Sequence, residues 1–251
     1  MRAKVNGVEI FFEVHSGLPR EGPGDAPSTR RAFACISGLP TRPRVLDVGC
    51  GPGAQTLELA RLCAGPIVAV DNHAPFLEAL RHRAAQSGLA DRIQTRQADM
   101  GQLPFAPGSF DLIWAEGSIY LVGFTAGLAA WRPVLAEGGH VAVTEACWLK
   151  QEVPREAREF WDEVYPAIRG IPENQAMVRE AGYELLESFV LPDSAWWNYY
   201  EPIERKLPGL EAWHAGNPQA LEVLAAERQE IAMFRGYCDC YGYVFFVARK
   251  R

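Results

Sequence analysis

Short apolar runs alternate along the chain with longer segments whose apolar residues recur at helical spacing. Five runs are predicted strands, at 45–48, 67–70, 93–98, 110–115 and 140–144. The segments between them have helical spacing, as at 54–63 and in Leu77, Leu80 and Ala84, which share one helix face. Strands that alternate with helices form parallel sheets, so we predict an α/β fold with a Rossmann-like, doubly wound, mostly parallel sheet.

The outer parts of the chain have less regular patterns. Residues 1–18 fit a strand, because apolar residues alternate at positions 8, 10, 12 and 14, but they also fit one face of a helix. A Gly/Pro-rich loop is predicted at 20–29, followed by a helix at 30–36. Further strands are predicted at 185–191 and 243–248, with a helical stretch at 203–235 between them. The predicted sheet therefore has seven strands.

Composition and charge narrow the classes of function. The 251 residues are 48% hydrophobic and 22% charged, as in globular proteins, and a net charge of −6 disfavours a nucleic-acid partner. No apolar run reaches the roughly 18 residues of a membrane span, so we expect no membrane partner. The six cysteines are scattered and lack zinc-site spacing, so we expect no metal and a reduced, cytoplasmic protein. The sequence does not fix the oligomeric state, and a homodimer is compatible with it.

The first predicted strand runs into a glycine-rich turn, DVGCGPGAQT, at residues 47–56. Counted by its glycines, the turn fits G-x-G-x-x-A, the dinucleotide loop of an NAD-dependent dehydrogenase. Asp47 favours a second interpretation, because a carboxylate repels pyrophosphate but attracts a cationic ligand that carries an α-amino group and a sulfonium. In this interpretation Asp47 acts either directly or by holding the glycine loop through backbone N–H groups.

Two further acids follow the ends of predicted strands. Asp71 ends the second strand, where a carboxylate accepts both ribose hydroxyls of an NAD or an adenosyl ligand. Asp99 stands where the third strand should end and is suited to accept a hydrogen bond from an adenine amino group, with Met100 behind the ring. Together with Asp47, these acids favour an adenosyl ligand over a dinucleotide.

The order and spacing of five motifs resemble the class I S-adenosylmethionine-dependent methyltransferases. Over about residues 40–150 these motifs are DVGCGPG, VAVDN, QADMGQLPF, FDLIWAEGSIY and LAEGGHVAVTE. The tail, with its helical insertion and final YGYVFFVARKR, is also similar to that family, whose last strand is antiparallel. The likeness is closer to small bacterial ubiquinone/menaquinone-methyltransferase-like (methyltransferase type 11) proteins.

The resemblance implies S-adenosylmethionine as cofactor, S-adenosylhomocysteine as product, and a single domain over residues 1–251. The implied parts are an N-terminal cap or lid at 1–38, a cofactor-binding core at 40–150, and a substrate-side region at 151–251 with the helical insertion and last strand. The implied cofactor residues are Asp47, Gly49, Cys50, Gly51, Gly53, Gln55, Thr56, Asp71, Asn72, Asp99, Met100, Glu116 and Gly117. By looser likeness, the loop with Gly22 and Gly24 closes over the methionine end.

Methyl transfer from a sulfonium depends mainly on alignment, so few catalytic side chains are needed. A general base matters only if the acceptor loses its proton near neutral pH. The candidates after the fourth and fifth strands are Glu116, Tyr120 and Glu145. Each has a structural alternative: a helix cap for Glu116, pocket lining for Tyr120, and a pairing at the sheet edge for Glu145.

The acceptor is expected to be a small molecule. The stretch AEGS follows the fourth strand, where enzymes that methylate amide or nucleobase nitrogens have [DN]-PP-[YFW]. We therefore expect an oxygen, carbon, sulfur or amine acceptor, and the aromatic run 196–200 either roofs its pocket or belongs to the core. Two alternatives stay open: a non-catalytic S-adenosylmethionine-binding sensor or partner module, and an NAD-dependent dehydrogenase.

Overall fold

One sheet of eight strands runs through residues 7–251, the part of the chain that the computed structural model describes. The strands are β1 (Val45–Val48), β2 (Ile67–Asp71), β3 (Ile93–Gln97), β4 (Phe110–Ala115), β5 (Leu135–Trp148), β6 (Arg169–Gly170), β7 (Tyr183–Val190) and β8 (Tyr241–Lys250). Their order is β3-β2-β1-β4-β5-β8-β7, and β6 pairs with β5. The last strand, β8, is antiparallel to β5 and β7, while the other pairings are parallel. The predicted fold class is confirmed, and the two-residue β6 adds to the seven predicted strands.

Helices cover both faces of this sheet. They are α1 (Gly7–His15), α2 (Ala26–Ala34), α3 (Ala54–Leu62), α4 (Ala74–Gln86), α5 (Phe124–Trp131), α6 (Arg155–Val164), α7 (Ile171–Glu180), α8 (Asp193–Trp213) and α9 (Pro218–Tyr237). Successive strand residues enter opposite hydrophobic layers, as Val45 and Leu46 do. The first layer includes buried side chains of α3, α4, α8 and α9, and the second those of α5 and α7. Within the described residues, no helix combines the length and apolar character needed to cross a membrane.

The start of α3 depends on one glycine. Gly53 precedes Ala54 with φ 88°, a left-handed conformation that favours glycine. A Cβ at Gly53 would lie 2.2 Å from Cδ1 of Leu80 in α4. The missing side chain therefore lets α4 pack closely against the turn, and Ala54 is an ordinary first residue of a helix.

The N-terminal segment from residue 7 is helical. The sequence left both a strand and a helix open for this segment, and the structure has the helix α1. Ile10 and Val14 lie one turn apart on it and are both fully buried. This helix packs against α8 and α9, which follow much later in the chain. The part of the prediction that concerns residues 1–6 lies outside the described residues.

The next helix, α2, begins earlier than predicted. It starts at Ala26, so the predicted loop at 20–29 is too long and the predicted helix at 30–36 starts too late. Asp25 caps the helix by accepting a hydrogen bond from the backbone N–H of Ser28 at 2.7 Å. Pro27 lies in the first turn, where it costs no intrahelical hydrogen bond.

Two elements near the end of the chain also differ from the prediction. Helix α8 starts at Asp193, well before the predicted start at 203, and continues through Pro202 and Pro208. Proline normally breaks a helix; the predicted stretch at 203–235 contains Pro208 but not Pro202, so the part of the helix from Asp193 to Pro202 was missed. The aromatic run 196–200 thus lies in a helix, with Trp196 stacked on Tyr243 of β8 at 5.1 Å between ring centroids. Strand β5 extends beyond both predicted ends and continues past the end of β4.

Candidate active site

A cavity opens at the carboxyl ends of β1, β2 and β4, the edge where doubly wound sheets bind ligands. Its other wall is formed by α1 and by the loop before α2. Most predicted site residues line it: Gly22, Gly49, Cys50, Gly51, Gln55, Asp71, Asn72, Met100, Glu116, Gly117 and Tyr120. The predicted residues outside this lining are Gly24, Asp47, Gly53, Thr56, Asp99 and Glu145.

The glycine turn is fixed between two strands. The backbone N–H groups of Gly49 and Cys50 donate to the carbonyl oxygen of Val70 in β2, at 2.8 and 2.9 Å. Gly49 has φ 69°, and a Cβ there would lie 2.4 Å from the Cβ of Ser118. The Ser118 hydroxyl donates to the carbonyl oxygen of Val48 at 2.7 Å. The turn therefore has no room for a side chain at Gly49, and its backbone forms part of the cavity wall.

Asp47 is fully buried beneath this turn. Its carboxylate accepts hydrogen bonds from the Thr56 hydroxyl at 2.5 Å and the Gln55 amide at 3.4 Å. Burial raises the pKa of Asp47 to about 7. Of the two predicted kinds of role, the structure gives it the second: it holds the turn, through side chains of α3 instead of backbone N–H groups. Gln55 also donates to the carbonyl oxygen of Cys50 at 3.1 Å, which ties the turn to α3.

Asp71 lines the cavity with its carboxylate held by the backbone. One oxygen accepts the Gly51 N–H at 2.9 Å, and the other accepts the His73 N–H at 2.8 Å. Each carboxylate oxygen accepts more than one hydrogen bond, so both remain available to hydroxyls of a ligand. Asn72 follows directly and lines the same wall.

Glu116 is buried, and both of its carboxylate oxygens accept hydrogen bonds. One carboxylate oxygen accepts from the Thr29 hydroxyl at 2.7 Å and the Trp114 indole at 2.9 Å, and the other accepts from Arg20 at 3.3 Å. These contacts connect the end of β4 to α2 and to the loop before it. Glu116 thus forms a buried ion pair at the cavity wall, and it is not the N-cap of either of the two helical segments that follow. Its role as a base stays a prediction.

Tyr120 lies at the cavity, and Glu145 is buried behind it. Tyr120 lines the cavity, and its ring makes an edge contact with Tyr165 at 5.7 Å between centroids. Glu145 is 1% exposed and accepts a hydrogen bond from the Tyr165 hydroxyl at 2.6 Å. Its second oxygen, Oε2, is buried and has no hydrogen-bond partner within residues 7–251. Burial raises the pKa of Glu145 to about 7.

Asp99 and Gly24 are placed away from the cavity. Asp99 is exposed and accepts the Gly101 N–H at 2.8 Å, so as placed it holds a turn, while its neighbour Met100 reaches the cavity. Gly24 donates its N–H to the carbonyl oxygen of Ala195 at 3.0 Å, which attaches the loop before α2 to α8.

Eight further residues line the cavity that the sequence interpretation did not assign to the site: Phe11, Phe12, Arg20, Glu21, His73, Phe76, Ser118 and Leu121. The Nη1 of Arg20 and the Oε1 of Glu21 are buried and lack hydrogen-bond partners in the described part of the chain. Phe12 stacks on His73 with ring centroids 3.7 Å apart. The adjacent Arg-Glu pair before a Gly-Pro-Gly loop was a usable signal. The sequence gave no such signal for Phe12, because its contact with His73 depends on how α1 packs.

The described residues offer little for a metal. No group of three or more His, Cys, Asp or Glu side chains that could hold an ion occurs in residues 7–251. All six cysteines fall in this range and are free thiols. Cys50 lines the cavity, and burial raises the pKa of its thiol well above the ordinary value, so it is a neutral packing group.

Comparison with known proteins identifies similar domains. Residues 45–139 match a family described as a methyltransferase domain. The chain is 29% identical over 238 residues to the 27-O-demethylrifamycin SV methyltransferase of Amycolatopsis mediterranei, an alignment that covers 89% of this chain and 84% of that protein. It is 32% identical over 149 residues to methyltransferase GfsG of Streptomyces halstedii, of which it spans 54%.

Solved structures agree with this match. A S-adenosylmethionine-dependent methyltransferase from Geobacter sulfurreducens, in complex with S-adenosylhomocysteine, has a TM-score of 0.81 to this chain. The two are 20% identical, and the alignment covers 96% of this chain and 98% of the other, so the likeness concerns the fold. The matched family segment contains the glycine turn, Asp71 and Glu116. Residues 45–139 therefore match a methyltransferase domain, and the chain shares its fold with a solved S-adenosylmethionine-dependent methyltransferase.

Proposed function

We propose that this chain transfers the methyl group of S-adenosylmethionine to a small-molecule acceptor. The observation that carries the proposal is the cavity itself, which the glycine turn and Asp71 line together with Arg20 and Glu21. One atom of each of these two side chains, Arg20 Nη1 and Glu21 Oε1, is buried and has no hydrogen-bond partner within residues 7–251. When bound, the cofactor supplies an electrophilic methyl group on a cationic sulfur.

The residues present fit this cofactor. An α-amino acid carries a carboxylate and an ammonium group, and Arg20 and Glu21 offer one partner for each. Asp71 is positioned by two backbone N–H groups to accept ribose hydroxyls. Phe12, His73 and Met100 supply aromatic and apolar surface for a purine ring. In this proposal the glycine turn lets the ligand approach the backbone closely.

On the acceptor side, the chain contributes a rigid wall. The Glu116 ion pair and the packing of Tyr120 fix the surface beside which the acceptor is aligned with the methyl group. Alignment of this kind supplies much of the rate acceleration in a displacement reaction. A small-molecule acceptor is supported by the relative from A. mediterranei, which is named for a demethylated rifamycin.

The two alternative functions are less well supported. Asp47 does not face the cavity, so its repulsion of a pyrophosphate is weaker than the sequence argument assumed. The methyltransferase matches nevertheless favour S-adenosylmethionine over NAD. They likewise favour an enzyme over a non-catalytic binding module. Four statements remain predictions: the cytoplasmic location, the division of the domain into three parts, the absence of a nucleic-acid partner, and a homodimer. The free thiols support the first of them.

Calorimetry with S-adenosylhomocysteine tests the proposal. We expect a Kd in the micromolar range, about −8 kcal/mol of binding free energy. Asp71→Ala should weaken binding at least about tenfold, because each tenfold loss corresponds to about 1.4 kcal/mol, within the range for hydrogen bonds to a charged group. Asp162→Ala, which removes an exposed carboxylate of α6, is the matched control and should bind as the unmodified protein does. Tight NADH binding with no binding of S-adenosylhomocysteine would refute the assignment.

A further inference from the structure

The wall behind Tyr120 is rich in tyrosine. Tyr120, Tyr165, Tyr199, Tyr200 and Tyr243, here called the tyrosine cluster, come from different parts of the chain. Ring contacts join four of them in two pairs, with centroids 5.7 Å apart for Tyr120 and Tyr165 and 5.2 Å apart for Tyr199 and Tyr200, while the ring of Tyr243 stacks on Trp196. Of these residues, Tyr120 also lines the cofactor cavity. The cluster therefore adjoins the place where the methyl group is transferred in the proposed function.

Glu145 reaches this cluster from β5. The parallel pairing of β4 with β5 ends at Ala115 and Val143, so Glu145 lies beyond the end of β4, on the ligand side of the sheet. One of its oxygens is bound by Tyr165 at 2.6 Å. The other is buried and has no partner in the described chain, an arrangement that is costly for a carboxylate unless a ligand completes it.

Glu230 reaches the cluster from α9. Its carboxylate accepts a hydrogen bond from the Tyr200 hydroxyl at 2.8 Å. Burial raises the pKa of Tyr120, and the charges of Glu230 and Glu145 raise it further. Both carboxylates therefore lie close enough to Tyr120 for their charges to act on it.

The cations nearby are already engaged. His15 lies between Glu21 and Glu227, at 2.9 and 3.3 Å. Arg20 pairs with Glu116 at 3.3 Å. The Nζ of Lys206 donates to three backbone carbonyl oxygens at the end of α1. Within residues 7–251, Glu145 and Glu230 thus have tyrosine hydroxyls as partners but no ion pair with a cation.

We propose, on the basis of the proposed function, that the methyl acceptor is a small basic amine held among the tyrosine rings by Glu145 and Glu230. A cation is attracted both by the faces of aromatic rings and by unpaired carboxylates, whereas an anionic acceptor would be repelled by both acids. The orphaned Oε2 of Glu145 accepts one N–H of this amine. The exposed Leu121 and Phe11 at the rim of the cavity accommodate an apolar portion of the same molecule.

The reaction is balanced as follows. Glu145 takes the proton of the ammonium form, which leaves a free lone pair on nitrogen. That lone pair forms the new N–C bond while the C–S bond breaks and its electron pair remains on sulfur, giving a neutral thioether. The product is a methylated ammonium ion, and the carboxyl proton is later released to water.

Acceptors that differ only in their head group test the proposal. The probes are benzylamine and phenethylamine, each compared with the alcohol and the carboxylic acid of the same carbon skeleton, with methyl-labelled S-adenosylmethionine as donor. We expect label in the amines at a rate at least about tenfold above that in the alcohols and acids. This comparison needs no variant, so it holds even where a substitution unfolds the protein.

Variants then test whether Glu145 and Glu230 hold the amine. Glu145→Gln and Glu230→Gln should each lower kcat/KM for the amine at least about tenfold while the Kd for S-adenosylhomocysteine stays within about twofold. Glu137→Gln is the matched control, because Glu137 lies on the same strand but is exposed and pairs with Lys250. Faster labelling of alcohols or acids, no labelling of either amine, or unchanged rates in Glu145→Gln would overturn the inference. If S-adenosylhomocysteine binds but the amines fail, only this inference is lost, whereas no binding at all removes the proposed function itself.

Discussion

Replacing Gly49 with alanine should destabilise the protein by two separable effects. The residue has φ 69°, and left-handed backbone costs an L-residue about 1–2 kcal/mol. The new Cβ would also lie 2.4 Å from the Cβ of Ser118, a contact with an atom fixed to the backbone. Overpacking of this kind costs about 1–3 kcal/mol. The sum, about 2–5 kcal/mol, is a large part of the usual stability of about 5–15 kcal/mol.

A second glycine isolates the backbone effect. Gly38 has φ 78°, but a Cβ there would meet nothing within 4 Å. Gly38→Ala should therefore cost only the backbone part, about 1–2 kcal/mol. In a Ser118→Gly background the contact with Ser118 is absent, and the near atom that remains is the flexible end of Met100, 3.1 Å away, so Gly49→Ala should then cost about as much as Gly38→Ala.

The measurement is the free energy of unfolding from urea titration, followed by tryptophan fluorescence and by circular dichroism. Coincident transitions and an unchanged slope with urea would license comparison of the four variants. If Gly49→Ala were no more destabilising than Gly38→Ala, the tight packing of the turn against Ser118 would be refuted. The positive φ would then be the one reason left for a glycine at this point of the cavity wall.

Two further predictions concern buried carboxylates. Thr56→Val removes the 2.5 Å hydrogen bond to Asp47 and should lower the free energy of unfolding by about 1–3 kcal/mol, while the exposed Thr41→Val should change it by less than about 0.5 kcal/mol. The pKa of Glu145 is about 7 when folded and 4.5 in its ordinary state, so folding favours the protonated carboxyl. Its contribution to stability is present at low pH and is lost as the pH rises from about 4.5 through about 7. The free energy of unfolding, measured with urea, should therefore fall less between pH 5 and pH 8 in Glu145→Gln than in the unmodified protein or in Glu137→Gln. Equal falls in all three proteins would contradict the raised pKa.

The strands at the centre of the sheet were predictable from sequence. β1 and β4 have the bounds that their apolar runs predict, because central parallel strands are covered on both faces and read as continuous hydrophobic segments. The helices flanking the core were less predictable. α2 was placed too late because the glycines and prolines of 20–29 were interpreted as a loop, whereas Pro27 lies in a first turn; α8 was also placed too late, and it continues through its two prolines.

Some residues of the candidate site were predictable from the sequence and others were not. Residues that follow strand ends, such as Gly49, Asp71 and Glu116, converge on one cavity because the carboxyl ends of parallel strands share one edge. Sequence could not show which way Asp47 points, since its burial depends on side chains of α3. Nor could it reveal Phe12, because its place in the wall depends on contacts between α1 and helices about two hundred positions later in the chain.

The position of β8 has a consequence for synthesis of the protein. Residues 241–250 lie between β5 and β7 and pair with both, so neither strand has its full set of neighbours until these residues have been made. The ribosome delivers the chain from its N-terminus at about 5–20 residues per second, and β1 to β4 are complete while β8 is still to come. A nascent chain paused before residue 241 therefore presents the unpaired edge of β5, an apolar template for aggregation or for a chaperone. Insertion of β8 closes that edge.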